Sequence, residues 1–555
     1  MREHEFDTDA GSVWVAVGPT GYLQRGDGRV AAWIRGDAGD GNRRRAPLHD
    51  EGAGAALEAS RDGLTIARGP YGGSSLYYAE ARGTVLVSSQ LAPLIDALAE
   101  PPALDVEGLA WLAVAKIRPD ARATIYHGVR RVLPCETVTF GADETRCSFT
   151  LPRVPSRLPR DAEGHAILLR DCLSRILARE VGRFSAVAVS AGGGLDSSGL
   201  LALVARHVAA HGGPFFTGLT LDFAGPGDDR PHMVALLRML GAETLRVSPR
   251  EVGPIPSQFF VQDAAPFHWP TSPLETLAGR RAKAWGAMAV VTGVGGDQAL
   301  DGDFGSFARR VRQGDLRALI DVARLRVPWR SSARVRLRDY VGKPLLRAWM
   351  PTSIRRAWRG RQQLDVVPWA GRRLQPVLEA FATRPLEPEE EWQTAYALSH
   401  QLMLVADGRT QEESACGLPR IDPYLDPTFI ELVASLPPEE LFFGGRTRGL
   451  FRHAMVGLLP ESLRLRQDKA SFEPMINEVF AVASKSPGLR ELLTMEATAD
   501  LGLVEPRPFR EQLDRVIRGE PTVGGWLSVW PMIAIEGFVR TIEAHRETPV
   551  DNDRD

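Results

Sequence analysis

The sequence predicts an α/β protein in which a strand-rich N-terminal region precedes a parallel sheet covered by helices. Three observations predict this fold: short alternating segments before residue 150, strand–helix repeats after residue 161, and a mainly helical pattern from about residue 305 onward. A chain of 555 residues exceeds the usual size of one hydrophobic core, so we expect two or more domains.

The first 150 residues contain short segments of alternating polar and apolar residues between glycine, aspartate and arginine turns, which is typical of strands. The predicted strands are residues 12–17, 64–67, 75–79 and 84–88. The proline-rich stretch 151–160 predicts a linker, because proline removes backbone donors and stiffens the chain. The predicted organisation is a first domain at 1–150, a linker at 151–160, a second domain at 161–545 and an acidic, disordered tail at 546–555.

The second domain alternates apolar runs of strand length with segments of helical period. The predicted strands are residues 185–190, 215–222, 244–247 and 288–292, and the predicted helices are residues 166–180, 197–210, 231–240 and 274–285. Strands that alternate with helices at this spacing indicate a parallel sheet covered on both faces.

The composition excludes several classes of protein. A net charge of −2 indicates no basic surface of the kind that nonspecific nucleic-acid binding requires. No stretch approaches the about 18 uninterrupted apolar residues that a membrane-spanning helix needs. The four cysteines, at positions 135, 147, 172 and 416, show neither metal-binding spacing nor a disulfide framework. We therefore expect a cytoplasmic protein with neither nucleic acid nor a membrane as its partner.

A glycine turn lies between the predicted strand that ends at Ser190 and the helix that follows it. Glycine lets the backbone approach an anion closely, and the start of a helix offers free N–H groups, so a phosphate fits there. A Walker A loop is excluded because no lysine occurs between Lys116 and Lys283, and the spacing of a dinucleotide-binding fingerprint is also absent. A carboxylate at this place, Asp196, suits a ligand of Mg²⁺ beside phosphates. The predicted phosphate-binding residues are Ser190, Gly192, Gly193, Gly194, Asp196, Ser197 and Ser198.

A second glycine turn follows the predicted strand 288–292 and repeats this design. The predicted nucleotide-binding residues here are Thr292, Gly293 and Gly295, and Asp297 is the second predicted ligand of Mg²⁺. Because the carboxyl ends of parallel strands lie at one edge of a sheet, where such folds bind ligands, we expect Asp196 and Asp297 to lie close together. The sequence therefore predicts an ATP site with one or two Mg²⁺ ions.

The first glycine loop resembles the SGGxDS pyrophosphate loop of the ATP pyrophosphatase superfamily. Gly192 stands where that motif has its first serine, and Ser190, Ser197 and Ser198 are the candidates for the missing hydroxyl. Both loops together resemble the synthetase domain of asparagine synthetase B and its relatives, with further similarity at residues 423–426, 448–452 and 466–469. The first domain resembles the glutaminase-like domain of that family at residues 68–96 and 125–134.

The resemblance implies an N-terminal Ntn/glutaminase-like α+β sandwich, followed by an ATP-pyrophosphatase (adenine nucleotide alpha hydrolase-like) domain with a parallel sheet and a helical C-terminal part. It also implies an ATP-dependent carbon–nitrogen ligase that requires Mg²⁺ and releases AMP and pyrophosphate. Arg448 and Lys469 would neutralise charge on the leaving group, since fixed cations at a developing charge stabilise a transition state. Glu412 and Glu413 are the candidates for accepting the proton of the attacking amine.

Two departures from the family narrow the expected reaction. Members that use glutamine carry a catalytic cysteine directly after the initiator methionine, whereas this sequence has Arg2 there and no cysteine before Cys135. We therefore expect the attacking amine to come from the substrate and the first domain to be a retained scaffold. Three residues before Asp297, where lactam synthetases of the family have a tyrosine and asparagine synthetase has a glutamate, this chain has Val294.

Residues 227–232 are more similar to lasso-peptide macrolactam cyclases than to the lactam synthetases. The expected enzyme is therefore a lasso-peptide cyclase of ribosomally made peptides (RiPPs). It would adenylate an Asp or Glu side chain of a precursor peptide and join it to the peptide's N-terminal amine. A leader peptidase or leader-binding protein would be a further partner. The alternatives are a β-lactam synthetase-like ligase of small molecules, an asparagine synthetase-like protein using free ammonia, and a degenerate nucleotide-binding scaffold.

Overall fold

The computed structural model describes most of the chain. The described ranges are 63–70, 75–81, 84–114, 119–141, 144–150, 161–225, 228–327, 332–349, 367–383, 400–468, 471–522 and 524–547, together with five short strands before residue 63. The predicted linker, residues 151–160, lies outside them, as does Lys469.

The N-terminal region forms two antiparallel sheets. The six-stranded sheet has the order β1-β2-β3-β8-β7-β9, and the five-stranded sheet has the order β11-β10-β6-β5-β4. Their strands are β1 (His4–Phe6), β2 (Val13–Val15), β3 (Val30–Ile34), β4 (Arg44–Ala46), β5 (Ala55–Ser60), β6 (Gly63–Arg68), β7 (Tyr77–Ala81), β8 (Thr84–Ser88), β9 (Val129–Arg131), β10 (Glu136–Phe140) and β11 (Thr145–Phe149). Short helices lie at Leu91–Asp96 and Val106–Ala113.

The two antiparallel sheets meet through their buried side chains. Tyr78 of β7 and Phe140 of β10 pack edge to face with ring centroids 5.1 Å apart. Along β10 every second side chain is buried, as expected for a strand with one face in a core. The predicted strands at 64–67 and 84–88 are confirmed, whereas the one predicted at 75–79 begins two residues later, at Tyr77.

A parallel five-stranded sheet forms the centre of the second region, as the sequence predicts. Its order is β14-β13-β12-β17-β18, and all of its strand pairs are parallel. These strands are β12 (Ala186–Ser190), β13 (Phe215–Leu221), β14 (Thr244–Val247), β17 (Ala289–Val291) and β18 (Arg420–Ile421). A separate two-stranded hairpin is formed by β15 (Val261–Gln262) and β16 (Ala265–Pro266).

The central strands are buried on both faces. Val187 and Val189 of β12 belong to one hydrophobic cluster, and Ala188 between them belongs to another. This division follows from the two-residue period of a strand, which points successive side chains to opposite faces. The helices Ala162–Val181, Leu195–His211 and Arg230–Leu240 contribute to the first cluster, and Ser272–Trp285 contributes to the second. The sequence predicts all four helices, with ends displaced by a few residues.

The remaining chain is mainly helical, again as predicted. The helices are Gly296–Leu300, Gly305–Arg312, Arg317–Arg324, Ala333–Leu337, Lys343–Trp349, Gln375–Thr383, His400–Cys416, Pro427–Ser435, Gly449–Ala454, Glu461–Arg464, Glu473–Ala483, Pro487–Leu492, Glu496–Asp500, Pro506–Ile517 and Trp530–Glu547. The last of them includes the first two residues of the predicted tail, and residues 548–555 lie outside the described ranges. Within those ranges, no helix is both long and apolar enough to span a membrane.

The strand order creates a switch point in the middle of the sheet. β12 pairs with β13 on one side and with β17 on the other, so the chain leaves β12 and β17 in opposite directions. Open α/β sheets bind ligands in the crevice beyond the carboxyl ends of two such strands. Both glycine loops predicted from the sequence begin at this crevice.

Candidate active site

The first glycine loop connects β12 to the helix that begins at Leu195. Gly193 has φ +89°, a conformation that strongly favours glycine. A Cβ atom at Gly193 would lie 2.7 Å from the backbone oxygen of Asp229. Glycine at this position therefore lets the loop turn sharply and lie against the segment that precedes the helix Arg230–Leu240.

The three serines near this loop differ in exposure. Ser190 and Ser197 are partly exposed, whereas Ser198 is completely buried. The hydroxyl of Ser198 has no hydrogen-bond partner among the described residues, and the hydroxyl of Ser197 donates to the backbone oxygen of Gly194 at 3.5 Å. Ser190 and Ser197 are thus better placed than Ser198 to supply the hydroxyl that Gly192 lacks.

The second glycine loop lies directly against the first. A Cβ atom at Gly293 would lie 3.3 Å from the Cβ of Ser197, and one at Gly296 would lie 2.9 Å from the Cβ and Cγ of Asp196. Gly295 has φ +90°, and a side chain there would also meet Leu425. The absence of side chains therefore allows both loops to share one crevice, as predicted.

Three carboxylates converge on one arginine at this crevice. Arg448 donates from Nη1 to Oδ2 of Asp196 at 2.5 Å, from Nε to Oδ1 of Asp301 at 2.6 Å, and from Nη2 to Oδ1 of Asp297. We call Arg448 and these three aspartates the carboxylate–arginine cluster. It brings Asp196 and Asp297 together, as the sequence predicts, and adds Asp301, which the sequence interpretation missed.

The carboxylate–arginine cluster carries more negative than positive charge. Burial alone would lower the pKa of Arg448, but the three aspartates outweigh burial and raise this pKa well above its ordinary value. One guanidinium cation cannot balance three ionised carboxylates, so a further cation is favoured at this place. Asp297 supplies an open side to the cluster, because half of its side chain is exposed to solvent.

The residues of this cluster fit the Mg²⁺ that ATP brings to such sites. Mg²⁺ is usually held by one or two carboxylates together with water and phosphate oxygens, not by a complete cage of protein ligands. Among the described residues, no group of three or more His, Cys, Asp or Glu side chains is arranged to hold a metal ion. Asp196 and Asp297 would supply the carboxylates, and bound Mg²⁺ would neutralise phosphate charge.

The segment Pro423–Leu425 contacts the end of the first glycine loop at Asp196. Tyr424 is fully buried and donates its hydroxyl to the backbone oxygen of Asp196 at 2.9 Å. Asp426 caps the next helix by accepting from the backbone N–H of Thr428 at 2.8 Å, and it also accepts from Arg179 at 2.5 Å. This segment, one of those that resemble the family, therefore positions the loop.

Arg466 holds the other side of the first loop. Its Nη1 donates to the backbone oxygen of Gly193 at 2.8 Å and to Oδ1 of Asp229 at 2.5 Å, and its Nη2 donates to Asp468 at 2.9 Å. Burial raises the pKa of Asp229, although Arg466 opposes this effect. The sequence interpretation selected Lys469 from this segment and overlooked Arg466, whose role depends on a loop 273 residues away in the sequence.

A buried arginine adds positive charge near the crevice. Burial and the nearby cations Arg448 and Arg446 lower the pKa of Arg452 to about 10. Its guanidinium donates to the backbone oxygens of Thr447 at 3.0 Å and Arg464 at 2.5 Å, which are neutral acceptors. Arg452 therefore places a further positive charge beside Arg448 and the three aspartates.

The two glutamates predicted to accept a proton belong to an ion-pair network behind the second loop. Glu412 pairs with Arg420, whose Nη2 donates to the hydroxyl of Thr292 at 3.2 Å. Glu413 accepts from Arg409 at 3.2 Å and from the backbone N–H of Arg420 at 2.8 Å. The side chain of Glu413 is 5% exposed and that of Glu412 is 20% exposed, so Glu412 is the more accessible of the two.

We expect Glu413→Gln to affect the stability of the protein and Glu412→Gln to affect its reaction. Glu413→Gln removes a buried charge partner of Arg409 and should lower the free energy of unfolding by about 1–3 kcal/mol. If Glu412 accepts the proton of the attacking amine, as the sequence predicts, Glu412→Gln should reduce amide formation about 100-fold, the typical contribution of a general base, and leave ATP–pyrophosphate exchange unchanged. Thermal unfolding and the two assays measure these effects. Unchanged amide formation in both variants would show that neither glutamate accepts the proton.

Together the parallel sheet, its switch point and the two facing glycine loops define the class of this protein, an α/β protein with a nucleotide-binding edge. The chain belongs to the family described as asparagine synthase, whose sequence profile matches residues 168–536. The matched range contains both glycine loops and the whole carboxylate–arginine cluster. No curated protein sequence matches the chain.

Several solved structures show partial similarity. The U34-tRNA thiolase NcsA from Methanococcus maripaludis is 14% identical with a TM-score of 0.20, and the match covers 29% of this chain and 54% of that one. The glutamine phosphoribosylpyrophosphate amidotransferase of B. subtilis, complexed with ADP and GMP, is 15% identical with a TM-score of 0.13, and the match covers 43% and 48%. The chain thus spans about half the length of these structures.

Proposed function

We propose that this protein is an ATP-dependent macrolactam synthetase of the lasso-peptide cyclase kind. It would adenylate an Asp or Glu side chain of a precursor peptide and join the activated acyl group to the N-terminal amine, releasing AMP and pyrophosphate. Membership of the asparagine synthase family supports the coarser function, an ATP-dependent amide ligase. The single observation that carries the proposal is the convergence of three carboxylates and Arg448 where two glycine loops meet.

The first step of the proposed reaction forms an acyl adenylate. A carboxylate oxygen of the substrate attacks the α-phosphorus of ATP, and the bond from that phosphorus to the departing pyrophosphate breaks. The glycine loops and Ser197 would hold the leaving pyrophosphate, and Arg448 and Arg466 would balance its charge. Lys469, which lies outside the described residues, is proposed as a further cation here.

In the second step, the amine attacks the activated carbonyl carbon and the carbon–oxygen bond to AMP breaks. The amine must lose a proton, and Glu412 is the proposed acceptor. Val294 cannot take this role, because its side chain has no basic group; it packs against the hydrophobic cluster of Cys135, Leu425 and Ile430. This apolar position weakens the alternative of a lactam synthetase, whose tyrosine it replaces.

The N-terminal region is proposed to be a glutaminase-like Ntn scaffold that lacks a thiol nucleophile. Its two antiparallel sheets support that architecture. Burial raises the pKa of the Cys135 and Cys172 thiols to about 11, and it also raises those of Cys147 and Cys416. Reactive cysteines have lowered pKa values, so none of the four is prepared to attack glutamine.

The deciding experiment measures exchange of labelled pyrophosphate into ATP with different acyl donors. We expect exchange to rise with the core peptide of a precursor encoded near this gene and not with free amino acids plus ammonium. The product should be lighter than the linear peptide by one water molecule. Exchange with small amino acids alone would overturn the peptide assignment, and absence of both exchange and ATP binding would favour the degenerate scaffold.

A further inference from the structure

The helix His400–Cys416 joins the N-terminal region to the nucleotide-binding edge. Its Asp407 contacts strands of the N-terminal region, and its Arg409 and Glu413 contact the strand beside the second glycine loop. The proposed reaction gives the N-terminal region no chemistry, because burial raises the pKa of both of its cysteine thiols. The contacts of this helix indicate a different use for that region.

Asp407 accepts hydrogen bonds from three side chains of the N-terminal region. Its Oδ1 accepts from the hydroxyls of Ser75 at 2.9 Å and Tyr77 at 2.7 Å, and its Oδ2 accepts from Nη1 of Arg131 at 2.9 Å. Burial and the charge of Asp407 raise the pKa of Tyr77 well above its ordinary value, so its hydroxyl stays protonated and donates. We call these four residues the interface network.

The interface network fixes the position of the helix on the N-terminal region. Tyr77 is 2% exposed, and the side chains of Arg131 and Asp407 are largely buried, so water competes little for their hydrogen bonds. Buried ion pairs add little net stability compared with apolar contacts, but leaving one partner unsatisfied is costly. A displaced helix would leave Arg131 or Tyr77 without its acceptor, so one position is strongly preferred.

Further along the same helix, Arg409 and Glu413 bond to the start of strand β18. Glu413 accepts from the backbone N–H of Arg420 at 2.8 Å, and Nη2 of Arg409 donates to the backbone oxygen of Arg420. Arg409 also donates from Nε to Glu413 at 3.2 Å, so the two side chains hold each other. Both are buried, and the helix therefore sets the position of Arg420.

Arg420 in turn contacts the first residue of the second glycine loop. Its Nη2 donates to the hydroxyl of Thr292 at 3.2 Å, and that hydroxyl also accepts from the backbone N–H of Val294 at 3.3 Å and donates to Asp422. The one donor and two acceptor positions of the hydroxyl are thereby all used. The turn at Thr292 and Val294 therefore depends on where Arg420 and Asp422 lie.

We propose that Tyr77 and Asp407 are positioning residues, through which the N-terminal region holds the second glycine loop in its nucleotide-binding conformation. The bonds run from Tyr77 to Asp407, along the helix to Arg409 and Glu413, and through Arg420 to Thr292. Contiguous hydrogen-bond networks and rigid helices of this kind can carry coupling between distant places. The inference rests on the proposed function only in that the second loop would bind ATP.

The test measures backbone hydrogen exchange of residues 290–297 in the protein without nucleotide. Tyr77→Phe removes the hydroxyl from the interface network and keeps the ring in the core. We expect these amides to exchange about 5-fold faster and the Kd for ATP to rise about 5-fold, the low end of the coupling that is typical between distant sites. Exchange in the first glycine loop should stay unchanged, because Arg466 and Tyr424 hold that loop.

The matched control is Tyr126→Phe. Tyr126 is 5% exposed and also donates its hydroxyl across the interface, at 2.7 Å, but to the backbone oxygen of Ala264 in the hairpin and not to the helix. Both variants lose one interface hydrogen bond of the same length, so we expect similar decreases in Tm. Only Tyr77→Phe should change exchange in the second loop and the Kd for ATP. Asp407→Asn, which breaks the pair with Arg131, should change both in the same direction as Tyr77→Phe.

A double-mutant cycle tests whether the effect passes through Arg420. Arg420→Lys keeps the charge but removes the guanidinium that reaches Thr292 and Asp422. If Tyr77 acts through Arg420, adding Tyr77→Phe to Arg420→Lys should change loop exchange no further. Additive effects would overturn the inference. The comparison of the two tyrosine variants decides the question by itself if Arg420→Lys fails to fold.

The outcomes separate this inference from the proposed function. Unchanged loop exchange in Tyr77→Phe, equal changes in both tyrosine variants, or an unchanged Kd for ATP would overturn the inference. Each of those results would show that the N-terminal region contributes stability alone. Faster loop exchange in Tyr77→Phe, together with a wild-type protein that binds no ATP, would reject the proposed function and leave the positioning roles of Tyr77 and Asp407 in place.

Discussion

We expect Asp196→Asn to reduce ATP–pyrophosphate exchange about 1000-fold and to leave the fold intact. The substitution removes one charge from the carboxylate–arginine cluster, and the loss of metal-based charge stabilisation is worth several kcal/mol, with each factor of ten corresponding to about 1.4 kcal/mol. The fold is preserved because Tyr424 bonds the backbone oxygen of Asp196 and not its side chain. Arg448 also keeps Asp297 and Asp301 as partners.

The control for this variant is Asp426→Asn. Asp426 is equally buried and pairs with Arg179, but its carboxylate caps a helix and asparagine caps helices equally well. Its exchange activity should therefore remain near that of the wild-type protein. Exchange by Asp196→Asn at the wild-type rate would reject Asp196 as a ligand of Mg²⁺, and circular dichroism would verify that both variants fold.

We expect Arg448→Met to make the stability of the protein depend on Mg²⁺. Removal of the guanidinium leaves three carboxylates facing each other; breaking the largely buried pair with Asp196 costs about 3–5 kcal/mol, whereas the half-exposed pair with Asp297 contributes less because solvent screens it. In EDTA we expect a large decrease in Tm. Millimolar Mg²⁺ should restore much of this decrease, since the divalent cation replaces the missing positive charge, and wild-type Tm should respond only weakly.

Arg452→Met is the matched control for this prediction. Arg452 lies one helical turn further along, is also buried, and donates to the backbone oxygens of Thr447 and Arg464. Its removal should lower the Tm without making it dependent on Mg²⁺. If Arg448→Met unfolds at the same temperature in EDTA and in Mg²⁺, the three carboxylates do not form a cation site.

The two glycine loops could be predicted from sequence because their signals are local. A buried apolar run, a cluster of glycines and a helix start lie within about a dozen neighbouring residues at Ser190 and again at Thr292. Their mutual proximity also followed from the sequence, since strands that alternate with helices form parallel sheets with their carboxyl ends at one edge. The parallel order of β12 and β17 confirms that reasoning.

The partners of the loops could not be predicted in the same way. Arg448 was predicted to neutralise charge on the leaving group, but its three aspartate partners, which lie 147 to 252 residues earlier in the chain, were not predicted. Asp301 follows the second loop but belongs to no recognisable motif. In the segment 466–469, the sequence interpretation selected Lys469 and not Arg466. A single charged residue does not produce a periodic pattern in the sequence. Its spacing from other residues therefore does not show which oppositely charged side chain it pairs with.

The sequence by itself determined the fold class, the order of the two regions and the position of both glycine loops. These features depend on hydrophobic period and backbone conformation, which neighbouring residues impose on each other. Only the tertiary structure decided which charges share the crevice, and that Ser198 is buried and Ser190 is not. Those features arise when segments that are distant in the sequence pack together. Which side chains then meet depends on the shape and charge of both segments, and a short stretch of sequence does not contain that information.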